Sequence, residues 1–338
     1  MSHIYVYSPS SAIIDKAAFK RGVKRLQHLG HEVEIDPAAL TSHMRFAGDD
    51  ATRLAAIHRA AASGADVALT SRGGYGLSRL LADINYKAVA KAIHPSRGKG
   101  TQFVGFSDFT AFQCALAAKT SAVSWAGPAV GEDFGAMVEA DGSPDCIMEA
   151  CFDDLLVGQG EGAGWRMPQP YKGKPSKTAI NSVATQEYNT PVTAKNDAEL
   201  AKFTINHAIL WGGNLSLIAS LVGTPYLPPA ATDKSGILFL EDVAEHPYRI
   251  ERNLTQLLHA GILGKQKAIL MGQFTNFKLS PVDKGYKLQT VIDWLRSVVK
   301  CPVLTGLPMG HVPTKVLLPF GEKVTLAVEG RDALVVWG

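Results

Sequence analysis

The chain carries little net charge and contains no long hydrophobic run. Its 34 lysine and arginine residues almost balance 31 aspartate and glutamate residues, which gives a formal net charge of +3. A protein that binds nucleic acid through its surface shows a basic patch or run, and this sequence has none. No apolar stretch reaches the roughly 18 residues that a membrane helix needs. Residues 1–7 lack the basic and apolar regions of a signal peptide. We therefore expect a cytoplasmic protein that binds neither nucleic acid nor membrane.

Metal-ligand and redox motifs are also missing. The four cysteines show no C-x-x-C spacing, and the ten histidines form no H-E-x-x-H or similar pattern. Buried free thiols are the expectation, and Cys114, for example, falls within a helical pattern of apolar residues. The sequence predicts no metal ion and no cofactor.

What the chain does contain is a regular alternation of strand and helix patterns over its first third. The predicted strands cover residues 4–7, 32–35, 66–70 and 102–106, and the helical patterns between them cover 16–29, 50–62 and 77–90. Such an alternation predicts a parallel sheet covered by helices on both faces. Ligands of these sheets bind at the carboxyl ends of the strands. We assign residues 1–156 to an N-terminal α/β domain with a doubly wound parallel sheet.

The pattern dissolves between residues 157 and 206, where glycine and polar residues predict an interdomain connection with an embedded loop or insertion. Regular patterns resume afterwards, so residues 207–338 are assigned to a C-terminal α/β domain. In this part helices are predicted at 247–260 and 288–299, and antiparallel strands at 316–318, 323–328 and 333–337. The predicted fold class is therefore α/β, in two domains.

The strand predicted at residues 102–106 ends directly at Ser107, and a helix with Phe112 and Leu116 on one side begins at Phe109. A serine at such a turn exposes its hydroxyl at the end of a sheet, beside free helix N–H groups. An acyl-transfer nucleophile needs this position, because an adjacent N–H group can stabilise an oxyanion. The alternative role is a helix N-cap, for which serine is favoured. Phe109 replaces the second glycine of the G-x-S-x-G motif.

A glycine pair follows the strand predicted at residues 66–70. Gly73 and Gly74 allow backbone N–H groups to approach an anion or an oxyanion, and a simple tight turn is the alternative. The spacing Gly74-x-Gly76-x-x-Arg79 fails the dinucleotide-binding pattern, because arginine stands in place of the third glycine. NAD binding is therefore disfavoured.

An apolar strand pattern at residues 238–240 delivers Glu241 and Asp242 at its carboxyl end. A carboxylate in this position can orient a catalytic histidine. Alternatively, Asp242 or Glu245 stabilises the helix that begins at Pro247 through the helix dipole. Glu241 lies further from that helix, so capping explains it less well.

His311 lies in a loop that contains glycine and proline, with predicted strands on both sides. A single loop histidine is often a surface residue or a satisfied core residue, but this loop is predicted to be well defined. Together, Ser107, Glu241 and His311 supply the nucleophile, carboxylate and imidazole base that acyl transfer requires. Each of them lies at an element boundary, beside glycines or a strand end.

Ordered motifs along most of the chain resemble the LD-carboxypeptidase family of serine peptidases, which includes murein tetrapeptide carboxypeptidases and microcin C immunity peptidases. The motifs occupy residues 72–76 with 79–81, 105–108, 211–215, 240–242 with 247–249, and 310–311. The resemblance implies that Ser107 is the nucleophile, and that Glu241 and His311 complete its triad. It also implies an oxyanion hole formed by the N–H of Asp108 and one N–H of the Gly73–Gly74 turn. The polar stretch at 170–206 is longer than the family's linker, which leaves the loops on the substrate side open.

The same resemblance implies hydrolysis of an amide between an L-centre and a C-terminal D-amino acid. The usual substrate is the murein tetrapeptide, which loses D-Ala during cell-wall recycling. We also expect a homodimer. A free substrate carboxylate needs a cation, and each candidate could instead be solvated or lie on a helix surface. These candidates are Arg72, Arg79, Arg249, Arg252 and Lys315.

Two other functions stay open from the sequence. The same chemistry could act on a peptidyl-nucleotide antibiotic, and Tyr75, Phe106 and Trp211 could then stack on a base, although such residues often serve packing. A non-catalytic module that binds an amide or a nucleotide is the other alternative. The presence of all three residues Ser107, Glu241 and His311 argues against that module.

Overall fold

Two β-sheets organise the chain in the computed structural model, which describes residues 1–94, 96, 99–137, 145–158, 160–168, 202–233 and 235–338. Most of the stretch predicted as an interdomain connection, including residues 169–201, lies outside the described residues. No described helix combines the length and the apolar character that crossing a membrane requires.

The first sheet contains β1 (His3–Tyr7), β2 (Glu32–Ile35), β3 (Val67–Thr70), β4 (Gln102–Gly105), β5 (Ser124–Ala126) and β11 (Leu318–Phe320). The strands follow the order β11-β5-β4-β3-β1-β2. Neighbouring strands are parallel, except that β11 runs antiparallel to β5. This sheet is the predicted parallel sheet with one antiparallel edge strand.

Helices cover both faces of the first sheet. They are α1 (Lys16–His28), α2 (Asp50–Ala62), α3 (Tyr86–Ile93), α4 (Phe109–Thr120) and α5 (Cys146–Val157). Because successive strand residues point to opposite faces, Ile4 and Val6 of β1 pack in one buried cluster with α1 and α5. Tyr5 and Tyr7 pack in the other cluster with α2, α3 and α4. The predicted doubly wound arrangement is confirmed.

The second sheet contains β6 (Gly162–Arg166), β7 (Phe203–Asn214), β8 (Gly236–Val243), β9 (Ala268–Thr275), β10 (Val303–Thr305), β12 (Lys323–Glu329) and β13 (Asp332–Val336). The strands follow the order β10-β9-β8-β7-β12-β13-β6. Strands β7 to β10 are parallel, whereas β12, β13 and β6 join by antiparallel pairing. The predicted α/β domain with antiparallel strands is confirmed.

The helices of this second part are α6 (Leu215–Ser220), α7 (Pro229–Thr232), α8 (Pro247–His259) and α9 (Leu288–Val298). Helix α8 begins at Pro247, as predicted, because the missing N–H of proline costs nothing in the first turn. Its apolar residues Ile250, Leu254 and Leu257 recur at helical spacing and are fully buried. Burying this stripe fixes α8 against a core cluster that both sheets share.

Three local features differ from the expectations. Strand β6 lies within the predicted connection 157–206 and pairs with β13. Strand β11 follows the predicted domain boundary at 206, yet it completes the first sheet beside β5. The helix predicted at 77–90 is a short 3₁₀ turn, Leu77–Arg79, followed by α3. Helix α3 begins late because the Asn85 side chain caps it, accepting from Ala88 N–H at 3.1 Å.

The position of β11 determines where His311 lies. Residues 306–317 run from β10 in the second sheet to β11 in the first. The loop that carries His311 therefore crosses from one sheet to the other.

Candidate active site

Ser107 lies at the turn between β4 and α4 with a left-handed backbone, φ 61°. This conformation costs a residue with a Cβ roughly 1–2 kcal/mol, and such strain concentrates at functional sites. The N–H of Thr110 donates to the Ser107 backbone carbonyl at 3.0 Å. The N-cap position belongs to Asp108, so the capping alternative for Ser107 is wrong and its hydroxyl is left for other chemistry.

The predicted glycine turn lies against this serine. A Cβ on Gly73 would stand 2.8 Å from Ser107 Oγ and 3.6 Å from the backbone nitrogen of Asp108. A Cβ on Gly74, at φ +112°, would stand 2.3 Å from Ser11 Oγ. Neither position can hold a side chain without displacing its neighbour. The missing Cβ lets the backbone of Gly73 approach the Ser107 hydroxyl and that of Gly74 approach the Ser11 hydroxyl.

Hydrogen bonding leaves a specific set of N–H groups free in this turn. Tyr75 N–H donates to Ser11 Oγ at 3.0 Å, and Leu77 N–H donates to Asp108 Oδ2 at 2.9 Å. Within the described chain, the N–H groups of Gly73, Gly74 and Asp108 donate no hydrogen bond. These are the N–H groups that the family resemblance implies for an oxyanion hole.

On the other side of the site, His311 is held by Glu241. The Nδ1 atom of His311 lies 3.0 Å from Oε2 of Glu241, whose side chain is buried at the end of β8. Burial opposes the charged imidazole, but the hydrogen bond and negative charge of Glu241 outweigh it and raise the pKa of His311 above its ordinary value. Since Nδ1 is engaged, Nε2 is the nitrogen available to take a proton.

The two sides meet through Phe106, the residue before Ser107. Its ring centre lies 4.8 Å from that of His311, with the planes tilted by 56°. The Ser107 hydroxyl and the imidazole form no hydrogen bond among the described contacts. Hydrogen bonds of this kind tighten when substrate binds. The candidate base His311 therefore packs against the residue next to the candidate nucleophile Ser107.

The carboxylates beside Glu241 have other partners. Asp242 Oδ2 accepts from the N–H and hydroxyl of Ser216, at 2.9 and 2.7 Å, and Oδ1 accepts from Asn214 Nδ2 at 2.9 Å. Asp242 thus stabilises the start of α6, not the helix predicted at 247. Glu245 lies 3.9 Å from Arg249 on the surface of α8. Of the three carboxylates, Glu241 contacts His311.

A cavity of about 260 Å³ opens beside His311. Phe106 and Met148 form part of its wall, and Asp133 and Lys315 also line it. Lys315 is 1% exposed. Its Nζ lies 2.6 Å from Asp133 Oδ1 and 3.7 Å from the centre of the Phe106 ring. The cavity therefore combines an apolar wall with a buried ion pair.

The five candidate cations for the substrate carboxylate differ in whether they line a cavity. Lys315 lines the cavity beside His311. Arg72 lines a second cavity of about 170 Å³ and lies 3.5 Å from Glu132. The remaining three are paired with carboxylates or exposed on helix α8, away from both cavities: Arg79, Arg249 and Arg252.

The three aromatic residues that could stack on a base lie in different surroundings. Trp211 is fully buried and donates from Nε1 to Gln266 at 2.9 Å, so its predicted stacking on a base is wrong. Phe106 is buried between His311 and Lys315. Tyr75 is the exposed member of the three, at 43%.

Among the residues that the structure describes, no three His, Cys, Asp or Glu side chains come together in a way that could hold a metal ion. All four cysteines are free, and Cys114 is buried as predicted. The expectation of buried thiols is wrong for the other three, because Cys146 is exposed and Cys151 and Cys301 are only partly buried.

Sequence reasoning missed Asp133 and Arg53. Asp133 bonds to Lys315 across a long stretch of chain, and no local pattern in the sequence signals the pairing. Arg53, in helix α2, is completely buried and donates from Nη1 to the carbonyls of Pro9 at 3.1 Å and Gly76 at 2.9 Å. An arginine in an amphipathic helix normally faces solvent, so only the fold identifies this one as a buried contact to the glycine turn.

Comparisons with known proteins identify the family of the chain. The sequence matches the LD-carboxypeptidase N-terminal domain over residues 4–127 and the LD-carboxypeptidase C-terminal domain over residues 207–326. A probable murein peptide carboxypeptidase of Bacillus subtilis is 28% identical over 319 residues, which cover 93% of this chain and 85% of the relative. The microcin C7 self-immunity protein of Escherichia coli is 24% identical over 266 residues, covering 78% of this chain and 72% of that protein.

Among solved structures, the muramoyltetrapeptide carboxypeptidase of Oxalobacter formigenes is 33% identical and superimposes with a TM-score of 0.77. The match covers 100% of this chain and 99% of the solved one. Together with the two domain matches, this similarity shows that the chain belongs to the LD-carboxypeptidase family and is a serine-type carboxypeptidase.

Proposed function

We propose that the protein hydrolyses the amide bond between an L-centre and a C-terminal D-amino acid, and that a murein tetrapeptide losing D-Ala is its substrate. The murein carboxypeptidase relatives support this substrate class. In this proposal the catalytic residues are Ser107, Glu241 and His311.

The nucleophilic step uses the imidazole as a general base. Ser107 Oγ attacks the carbonyl carbon of the scissile amide while His311 Nε2 takes the hydroxyl proton. Glu241, bonded to Nδ1 at 3.0 Å, fixes the tautomer and stabilises the imidazolium that forms. Burial of this carboxylate strengthens its effect, because little water screens it.

The negative charge of the tetrahedral intermediate falls on the former carbonyl oxygen. The free N–H groups of Asp108 and of Gly73 or Gly74 lie beside Ser107 and can donate to this oxygen. When the intermediate collapses, the C–N bond breaks and the imidazolium gives its proton to the leaving amine. A water molecule, deprotonated by His311, then hydrolyses the acyl-enzyme and restores the Ser107 hydroxyl.

The cavity beside His311 supports a place for the leaving D-amino acid, because His311 must protonate that residue's nitrogen. Its carboxylate requires a positive charge, and Lys315 lines this cavity. Asp133 engages one of the three N–H donors of an ammonium group. We assign Lys315 to the substrate carboxylate for this reason.

The observation that carries the proposal is the buried Glu241–His311 pair, which lies across Phe106 from a strained serine. Mass spectrometry of a murein tetrapeptide incubated with the purified protein tests it. We expect the loss of one alanine, and no loss with the Ser107→Ala variant. An unchanged tetrapeptide after long incubation with wild-type protein would refute the proposed substrate.

The peptidyl-nucleotide alternative is tested in the same assay with an aminoacyl sulfamoyl nucleoside in place of the peptide. The burial of Trp211 removes one of the three aromatic residues that could have stacked on a base. We therefore expect the peptide to be the better substrate by kcat/KM. Preferential hydrolysis of the nucleoside compound would reverse the assignment.

The proposed setting is cell-wall recycling in the cytoplasm. The cytoplasmic location stays a prediction from the sequence, and the homodimer also stays an expectation. Sedimentation of the purified protein measures the oligomeric state.

A further inference from the structure

The Asp108 side chain does not do what an aspartate at a helix start normally does. Asp108 occupies the N-cap position of α4, where such a carboxylate usually accepts from the second or third helical N–H. Here its side chain makes no capping bond. Its Oδ2 atom accepts instead from Leu77 N–H, at 2.9 Å, in a segment distant along the chain.

This bond joins the two backbone segments that meet at Ser107. Leu77 directly follows the glycine turn, whose Gly73 lies against Ser107 and the N–H of Asp108. Asp108 thus contributes an N–H group to one side of the proposed oxyanion hole and anchors the opposite side through its carboxylate. The carboxylate is 0% exposed, so water does not compete for the Leu77 N–H.

Two further contacts restrain the same turn. Arg53 Nη1 donates to the Gly76 carbonyl at 2.9 Å, and a Cβ on Gly76 would stand 2.6 Å from that nitrogen. Ser11 Oγ accepts from Tyr75 N–H at 3.0 Å. Ser11, from the loop between β1 and α1, thus holds the turn at Tyr75, and Arg53 of α2 holds it at Gly76. Of Arg53, Ser11 and Asp108, only Asp108 is the direct neighbour of Ser107 in the chain.

We propose that the Asp108 side chain is a positioning residue, which sets the distance between the glycine-turn N–H groups and its own N–H so that both reach the oxyanion. This inference rests on the proposed hydrolytic function. It assigns a role in the transition state, because the oxyanion forms only there, while ground-state binding of the peptide depends on other contacts. Loss of the carboxylate should therefore reduce kcat and leave KM nearly unchanged.

The size of the effect follows from the geometry. Removing one oxyanion donor costs about 10²–10³ in kcat, and a displacement of about 1 Å costs about 10². We expect Asp108→Ala to lower kcat about 100-fold, with KM within about threefold of wild type. Asp108→Asn keeps an oxygen that accepts from Leu77 N–H, so we expect kcat within about tenfold of wild type.

The matched control is Asp66→Ala. Asp66 also accepts a hydrogen bond from a backbone N–H, that of His3, at 2.8 Å. It lies at the amino end of β3, whereas Ser107 and the glycine turn lie at the carboxyl ends of their strands. We expect this variant to lose thermal stability without losing kcat. Asp108→Ser keeps a residue that favours helix starts, and its side chain is one bond too short to replace the carboxylate. The Asp108→Ser variant is used in place of Asp108→Ala if the alanine variant does not fold.

The experiment measures kcat, KM and melting temperature for the four variants on the murein tetrapeptide. A kcat loss confined to Asp108→Ala and Asp108→Ser, largely restored in Asp108→Asn, supports the positioning role. Folded Asp108→Ala or Asp108→Ser protein with kcat like that of Asp66→Ala would overturn it, and so would a loss that appears mainly in KM. If wild type and Asp66→Ala hydrolyse no tetrapeptide, the proposed substrate is wrong. If wild type hydrolyses the tetrapeptide and an Asp108 variant does so at the same rate, only the positioning role is wrong.

Discussion

The two sides of the candidate site differ in the chemical groups that they contribute. One side contributes backbone groups and the other contributes side chains. Beside the first sheet, the backbone of Gly73 closely approaches the Ser107 hydroxyl and the N–H of Asp108, and the approach is possible because Gly73 has no Cβ, for which there is no space. Beside the second sheet, the acting groups are the side chains of Glu241 and His311, joined by one hydrogen bond of 3.0 Å. The first side should tolerate no added carbon atom, whereas the second should tolerate no lost charge. The predictions below test this contrast.

The largest effect is expected where the two sides meet. Ser107→Ala removes the nucleophile, and we expect kcat to fall about 10⁶-fold, as for other triads that lose their serine. Alanine keeps the Cβ and the left-handed strain of this position, so the melting temperature should stay within a few degrees. Tetrapeptide hydrolysis and thermal unfolding measure both. A variant that keeps a near-wild-type rate would mean that Ser107 is not the nucleophile.

Glu241→Gln tests the side-chain half. It keeps the size of the residue but removes the charge that stabilises the imidazolium, and a comparable change in another triad costs about 10⁴-fold in kcat. The pH profile gives a second readout. Because Glu241 raises the pKa of His311, and because only neutral His311 acts as the base, wild-type kcat/KM should fall as pH drops through a midpoint above 6.5. In the variant this midpoint should move to lower pH.

Gly73→Ala tests the backbone half without any change in charge. The new Cβ would stand 2.7 Å from Ser107 Cβ and 2.8 Å from its Oγ, so serine and turn must separate. We expect kcat to fall about 10²–10³-fold, as when an oxyanion donor is lost. The control is Gly264→Ala, where a Cβ meets nothing within 4 Å. Equal rates in the two variants would contradict the close approach at Gly73.

Lys315→Met tests whether the positive charge that lines the cavity beside His311 binds the substrate carboxylate. Loss of a charged hydrogen-bonding partner should raise KM for the peptide acid about 10-fold or more, but should not affect a peptide amide. The positive charge of Lys315 lowers the pKa of His311, so the acid midpoint of kcat/KM should move to higher pH. The double variant with Asp133→Asn removes the unpaired buried carboxylate and controls for its repulsion. An unchanged KM in both variants would remove Lys315 from substrate binding.

Asp242→Asn should have the smallest effect on rate, although it neighbours Glu241. The carboxylate serves Ser216 and Asn214 at the start of α6, and an amide group would turn one acceptor into a donor facing other donors. We expect a loss of about 2 kcal/mol in the free energy of unfolding, with kcat within about threefold of wild type. A rate loss larger than that of Glu241→Gln would mean that the carboxylate of the triad is Asp242.

Much of this site could be predicted from the sequence because its residues lie at element boundaries. The strand that ends at Ser107, the glycines that follow β3 and the strand that delivers Glu241 are all local patterns, and the structure places them at strand ends. Local pattern could not separate Glu241 from Asp242. The difference lies in what each carboxylate meets across the fold, which is His311 in one case and Ser216 in the other.

Long-range pairing also explains what the sequence did not reveal. The buried Lys315–Asp133 pair and the buried Arg53 depend on contacts between distant segments. Strand β6 is short and rich in glycine, so its propensity is weak, and only pairing with β13 makes it a strand. Trp211 was a candidate for stacking on a base because it lies near the predicted site in the sequence, but Gln266 accepts its N–H inside the core.

The crossing of β11 has a consequence for how the protein is made. Every strand of the second sheet from β6 to β10 is synthesised between β5 and its partner β11. A chain emerging from the ribosome can therefore build most of the first sheet early, but its last edge closes only after the intervening segments exist. His311 precedes β11 by a few residues, so the candidate site is completed at the same late stage. A chain that ends before residue 311 would contain Ser107 without His311, and in the proposed mechanism it would be inactive.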